Sequence, residues 1–249
     1  KGGTQQAMGA HAQILDYGIL LVPYGPTVLL VLVYIFPRPQ LFVVAMASSV
    51  FFLAAFACSS ILRLVFYPIR RNFWFLALIT IASQECFRNV FIRLYFKVSR
   101  RFLVIATNGV LYPLQDLPAS ATAGLAWGIT NSIMLYGDVM MRATGMATLV
   151  SAECGEMSVP VLSSWASLLT IGIHVCLMIL GFDALRRSDY KQSAAVCAIN
   201  SAHLLLSSLN IFRGGCIIYL VIEGVLLLAI CALLVKVTHQ PGYHSKRKD

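Results

Sequence analysis

Charged residues are scarce in this sequence. Lys, Arg, Asp and Glu make up only 12% of its 249 residues, whereas a soluble domain carries about a quarter. This scarcity argues against a soluble single-domain enzyme, a nucleic-acid-binding domain and a disordered chain, so we expect no nucleic-acid partner. There is also no Cys-x-x-Cys pair, and six of the seven cysteines lie inside apolar runs. We therefore expect free thiols and neither a disulfide scaffold nor a metal site.

Apolar residues make up 59% of the chain and are gathered into long runs. A transmembrane helix needs about 20 mostly apolar residues. Seven runs meet this length, at 17–36, 41–66, 73–96, 120–141, 160–182, 192–212 and 215–237. The stretch 102–113 is apolar but too short to span, so we interpret it as interfacial or as part of a loop. The sequence predicts an all-α, seven-helix membrane bundle in one polytopic domain over residues 1–249, in contact with the lipid bilayer.

The basic residues between the runs predict the orientation of the bundle. With the C-terminus in the cytosol, the cytosolic loops and tail hold eleven Lys and Arg: Arg38, Lys97, Arg100, Arg101, Arg186, Arg187, Lys191, Lys236, Lys246, Arg247 and Lys248. The opposite side holds five, namely Lys1, Arg70, Arg71, Arg142 and Arg213. Because positive residues concentrate in cytosolic loops, we expect an extracellular or lumenal N-terminus and a cytosolic C-terminus.

Small residues recur every fourth position in the fourth run. Gly124, Gly128 and Ser132 share one helical face and form a shallow groove about two turns long. Another helix can approach such a groove closely enough for backbone contact. The pattern predicts helix packing but leaves open whether the partner helix belongs to this chain or to another.

Several polar residues are predicted to lie deep in the membrane. They are Gln84, Glu85, Asn131, His174, His203 and Glu223, with Arg88 within reach of Glu85 on the same helix. An ionisable group at that depth should face protein and have a partner, so we expect these residues to form a buried polar network. We interpret its main role as fixing helix order. Coupling to a partner protein, a metal pair or a proton relay are the alternatives.

The motifs of the known intramembrane enzymes are missing or incomplete. Tyr136-Gly137-Asp138 lacks the first glycine of the Gly-x-Gly-Asp of presenilin-like proteases, and Asp183 lies near the opposite membrane face. There is no His-Glu-x-x-His and no strained Gly-x-Ser-x-Gly serine. We therefore expect no catalytic residues and no cofactor. A seven-helix receptor or transporter with a midplane His/Glu site remains the alternative.

Five short segments, in order, resemble the Aph-type (anterior-pharynx-defective) subunit of γ-secretase. They are Tyr24-Gly25-Pro26; Gln84-Glu85-Cys86-Phe87-Arg88 with Tyr95 and Lys97; Gly124 to Gly128; His174 with Phe182-Asp183-Ala184 and Arg186-Arg187; and Ser201 to Leu205 with Leu209-Asn210. The sequence departs from the family pattern at Ser132, which replaces a third glycine, at Glu223 and in the 97–118 loop.

This resemblance implies a scaffold without a proteolytic centre. It implies seven helices and assembly with presenilin, nicastrin and the presenilin-enhancer subunit, in support of intramembrane proteolysis of type I membrane proteins and of Notch signalling. It also implies a multi-pass protein of endoplasmic reticulum, Golgi, endosomal and plasma membranes. The roles in assembly that the family gives its glycine motif and two histidines would correspond here to Gly124, Gly128, His174 and His203.

Overall fold

The computed structural model describes residues 18, 20–66, 73–106, 116–142, 159–207, 209 and 215–238. The described residues form helices and contain no strand. The helices are α1 (Leu20–Ile35), α2 (Pro39–Val65), α3 (Phe73–Ala106), α4 (Asp116–Arg142), α5 (Val159–Arg187), α6 (Tyr190–Leu206) and α7 (Gly215–Thr238). The all-α class predicted from the sequence is confirmed.

Prolines and side-chain caps set several of the helix ends. The last turn of α1 widens into a π-helix over Val31–Ile35, where the Phe36 N–H donates to the Val31 carbonyl at 2.8 Å. Pro39 then opens α2, at a position where the missing N–H has no cost. At the α5–α6 turn, the Asp189 carboxylate accepts hydrogen bonds from the first backbone N–H groups of α6.

By length and composition, four helices can cross a membrane: α2, α3 over Trp74–Ser99, α5, and α7 over Gly215–Val237. Helix α4 is equally long, but its many Gly, Ala, Ser and Thr residues lower its hydropathy. Helices α1 and α6 are shorter. The count of seven spans and the orientation of the termini therefore stay predictions.

The largest differences from the expected helix bounds are at the ends of α3 and α6. Helix α3 continues to Ala106, so residues 102–106 are helical rather than part of a loop, and the rest of 102–113 lies outside the described residues. The interfacial position of this stretch stays a prediction. Lys and Arg favour helix, so the apolar run can end at 96 without ending the helix. Helix α6 ends at Leu206 rather than 212, and the Ser207 hydroxyl donates to the Leu204 carbonyl at 2.7 Å, a bond that competes with helical pairing.

Helix α5 lies at the centre of the bundle and contacts α3, α4, α6 and α7. One hydrophobic cluster joins it to α2, α3 and α4 around Phe52, Trp127 and Phe182. A second joins it to α6 and α7 around Leu177 and Ile230. The buried His174, one of the polar residues predicted to lie in mid-membrane, is also on α5.

Candidate functional site

Gly124 and Gly128 on α4 lie against the backbone of α5. A Cβ atom added at Gly124 would lie 2.6 Å from the Cα of Val175 and 2.9 Å from the carbonyl oxygen of His174. A Cβ at Gly128 would lie 2.8 Å from the Cα of Ile171. Side chains do not approach backbone that closely, so only glycine permits this contact. The partner helix that the spacing left open is α5 of the same chain.

Ser132, the third small residue, contacts a different helix. Its side chain is fully buried, and its Oγ lies 3.0 Å from the hydroxyl of Tyr24 on α1. On another side of α4, the Ser48 hydroxyl of α2 donates to the carbonyl of Ala123 at 2.7 Å. The small residues of α4 thus let three helices of this chain pack closely around it.

Arg88 on α3 is the centre of the buried polar residues. Its Nη1 donates to Glu85 Oε1 at 2.7 Å, and its Nη2 lies 3.4 Å from both His174 Nδ1 and Asn200 Oδ1. Its guanidinium carbon also lies 5.6 Å from the ring centroid of Trp127. Because Arg88 is buried, these partners replace water at its two terminal nitrogens, while its Nε has no hydrogen-bond partner among the described residues.

His174 on α5 connects Arg88 to α4. Its Nε2 lies 2.7 Å from the amide nitrogen position of Asn131. A neutral imidazole has one donor and one acceptor, and Arg88 can only donate, so Nδ1 accepts and Nε2 carries the proton. The Asn131 amide must then be flipped, so that its oxygen rather than its nitrogen faces Nε2. The two orientations are allowed because the oxygen and nitrogen of an amide have nearly the same shape. One tautomer thus satisfies both neighbours.

His203 on α6 pairs with Glu223 on α7. Its Nδ1 lies 2.9 Å and 3.0 Å from the two carboxylate oxygens, and both side chains are buried. The His203 ring meets the His174 ring edge-on, with centroids 5.7 Å apart. This contact joins the pair to the Arg88 group, so the polar residues form one connected set that draws on five helices, α3 to α7.

Five of the six residues predicted for the network belong to this connected set. Gln84 is the exception: it is buried, but its Oε1 has no hydrogen-bond partner among the described residues. Its neighbour Glu85 is the residue of that turn that contacts Arg88. The geometry places the residues together, while their role in assembly stays a proposal.

Sequence reasoning missed two members of the network. Arg88 was expected to pair only within its own helix, yet it reaches three other helices. Asn200 was not singled out, although it precedes His203 by three residues and therefore shares its helical face. A search for polar residues at that spacing from His203 would have found it.

Two of the aspartates whose side chains are described form ion pairs with arginines at the end of α5, and the third, Asp189, caps α6. Asp183 accepts from Arg187 at 2.9 Å, and Asp116 accepts from Arg186 at 2.6 Å. Asp138 lies in α4, but its side chain is not described. Within the described part of the chain, no three His, Cys, Asp or Glu side chains come together in a way that could hold a metal ion.

The expectation that all the cysteines are free thiols is wrong at Cys216. This residue, in the first turn of α7, is disulfide-bonded. The prediction treated every cysteine in an apolar run as a small apolar residue, but Cys216 sits at the end of its run, where a second cysteine can reach it. The described cysteines at 58, 86, 176, 197 and 231 are free.

Fold and site together define a class: a helical membrane protein whose glycine contacts and buried ionisable residues bind its own helices to one another. The model of the Aph-1 protein family matches residues 14–240, and the chain belongs to that family. A relative from Arabidopsis thaliana, named gamma-secretase subunit APH1-like, is 24% identical over 227 residues, which cover 88% of this chain and 89% of the relative.

Proposed function

We propose that this chain is the non-catalytic scaffold subunit of a γ-secretase complex. It assembles with presenilin, nicastrin and the presenilin-enhancer subunit and stabilises the intramembrane aspartyl protease that cleaves type I membrane proteins, including those of Notch signalling. Membership of the Aph-1 family and the name of the Arabidopsis relative support this proposal. The proposed location is the endoplasmic reticulum, Golgi, endosomal and plasma membranes.

The observation that carries the proposal is that the buried ionisable side chains pair with one another within the chain. Glu85 and Arg88 neutralise one another, and His203 and Glu223 share two short contacts. A receptor or transporter needs such groups at an accessible cavity, and the 480 Å³ groove in the described part of the chain is lined by none of them. Groups that satisfy one another fix helix positions and leave the outer faces for partners and lipid.

The proposal includes seven spans, a lumenal N-terminus and a cytosolic C-terminus. The excess of basic residues on one side supports this orientation. The disulfide at Cys216 supports it too, because disulfides persist on the extracellular or lumenal side, where α7 begins in this topology. Glycosylation sites inserted next to residue 1 and after residue 238 test it: only the first should be modified, and modification of the second would contradict it.

Affinity purification in mild detergent tests the scaffold role. The wild-type chain should recover presenilin, nicastrin and the presenilin-enhancer subunit in one high-mass complex. Gly124→Leu should reduce that recovery, whereas Gly137→Leu should not, because among the described residues a Cβ at Gly137 meets only the Ile133 side chain, at 3.6 Å. Equal recovery with both variants, or proteolytic turnover by the isolated chain, would contradict the proposal.

A further inference from the structure

A groove of about 480 Å³ opens at one end of the bundle, between α3, the end of α5 and the start of α6. Its size falls in the range of sites for small molecules. It lies apart from the buried polar network, whose residues do not line it. The scaffold role proposed above therefore does not account for it.

The α3 wall of the groove carries two unpaired cations. Asn89, Arg93 and Lys97 are four residues apart and share one helical face. Arg93 and Lys97 are exposed, and neither forms an ion pair within the described part of the chain. The neighbouring Arg186 and Arg187 are different, because each already has an aspartate.

The opposite wall carries one carboxylate against these two cations. This carboxylate, Asp189, accepts from the backbone N–H groups of Lys191 and Gln192 through Oδ1, at 2.9 Å and 3.2 Å. Asp189 thus caps α6 and offsets one of the two positive charges. The hydroxyl of Ser193 also lines this wall and is a potential donor. The groove thus combines two cations, one carboxylate and a hydroxyl in one small volume, with a net charge of +1.

The groove also has an apolar part and a position suited to a lipid. Phe96 and Leu185 line it beside the cations. It lies where α5 and α6 meet in a charged turn, and Tyr190 in that turn is 85% exposed, as is typical of a membrane–water interface. In the proposed orientation this is the cytosolic leaflet, where anionic lipids are enriched.

We propose that this groove binds the headgroup of an anionic glycerophospholipid. Arg93 and Lys97 pair with its phosphate, Ser193 donates to a headgroup oxygen, and the first acyl carbons lie on Phe96 and Leu185. A free phosphate offers the same anionic group but has no apolar part to cover these two side chains.

Native mass spectrometry of the full chain in detergent tests the proposal. The lipids are dioleoyl phosphatidic acid and, as the neutral comparison, dioleoyl phosphatidylcholine. The Arg93→Gln/Lys97→Gln variant should lose about tenfold or more in affinity for the acid. The matched control, Lys191→Gln/Lys236→Gln, removes the same charge from exposed residues outside the groove and should lose less than about threefold.

A second variant tests the cavity rather than its charge. Ser193→Trp fills the groove, keeps both cations and should also abolish retention of phosphatidic acid. Equal losses in the two double variants, unchanged binding in Ser193→Trp, or equal retention of phosphatidylcholine would each overturn the proposal. Displacement of the lipid by millimolar inorganic phosphate would assign the site to free phosphate and overturn the lipid assignment. These measurements use the chain alone, so their outcome is independent of γ-secretase assembly.

Discussion

Gly124→Ala offers the sharpest test of the α4–α5 contact, because it adds a single methyl group. That methyl carbon would lie 2.6 Å from the Cα of Val175, and ordinary contact begins at 3.4 Å, so the two helices must separate by about 0.8 Å. Overpacking of this kind costs roughly 1–3 kcal/mol. Gly137→Ala in the same helix is the control, because within the described part of the chain its methyl would meet only the Ile133 side chain, at 3.6 Å.

The comparison isolates the steric cost. Both substitutions gain the same helix propensity, about 0.5–1 kcal/mol in favour of alanine, so this gain cancels in the difference between the variants. Unfolding by SDS in mixed micelles gives that difference, followed through the fluorescence of the buried Trp127 in a chain whose other two tryptophans, Trp74 and Trp165, are replaced by phenylalanine. We expect Gly124→Ala to be less stable than Gly137→Ala by roughly 1–3 kcal/mol. Indistinguishable unfolding curves would refute the proposed close approach.

Two further predictions concern the polar network and use the same unfolding assay. Arg88→Leu leaves Glu85 buried without its cation and should lower the stability of the chain by roughly 3–5 kcal/mol. The double variant Glu85→Leu/Arg88→Leu removes both charges and should recover most of that stability. A double variant as unstable as the single one would contradict the ion-pair account. Glu223→Gln keeps an acceptor for His203 Nδ1 and should change stability little, whereas Glu223→Leu should cost roughly 1–3 kcal/mol. Equal effects of the two substitutions would show that the His203 contact contributes nothing.

The sequence predicted the helices of this fold better than it predicted which helices pack against one another. Spacing identified the face of Gly124 and Gly128, because periodicity within one helix is a local property. It could not identify α5 as the helix opposite, since helix order is decided by contacts between distant residues. The end of α3 was missed for a related reason: apolar runs mark the membrane core, whereas a helix can continue into water through basic residues.

Burial at the network was predictable, but its connectivity was not. A carboxylate deep in an apolar run must have a partner, which placed Glu85 and Glu223 among the candidates. Arg88 lies three residues from Glu85, so an ion pair within α3 was enough to neutralise both charges. Nothing in the sequence then required further partners for Arg88, and its contacts with His174 and Asn200 were not predicted. These depend on how α3, α5 and α6 are rotated about their axes, which a single sequence does not specify.

The central position of α5 has a consequence for how this protein meets other molecules. The glycine contact with α4 involves the backbone of His174 itself, whose ring belongs to the polar network, so a shift of α5 that opens one also disturbs the other. Side chains that can adjust to a bound molecule therefore lie on α1, α2 and α7, whose apolar faces are exposed. The middle of the molecule is therefore held in one arrangement by contacts within the chain, and changes of shape are confined to its outer helices.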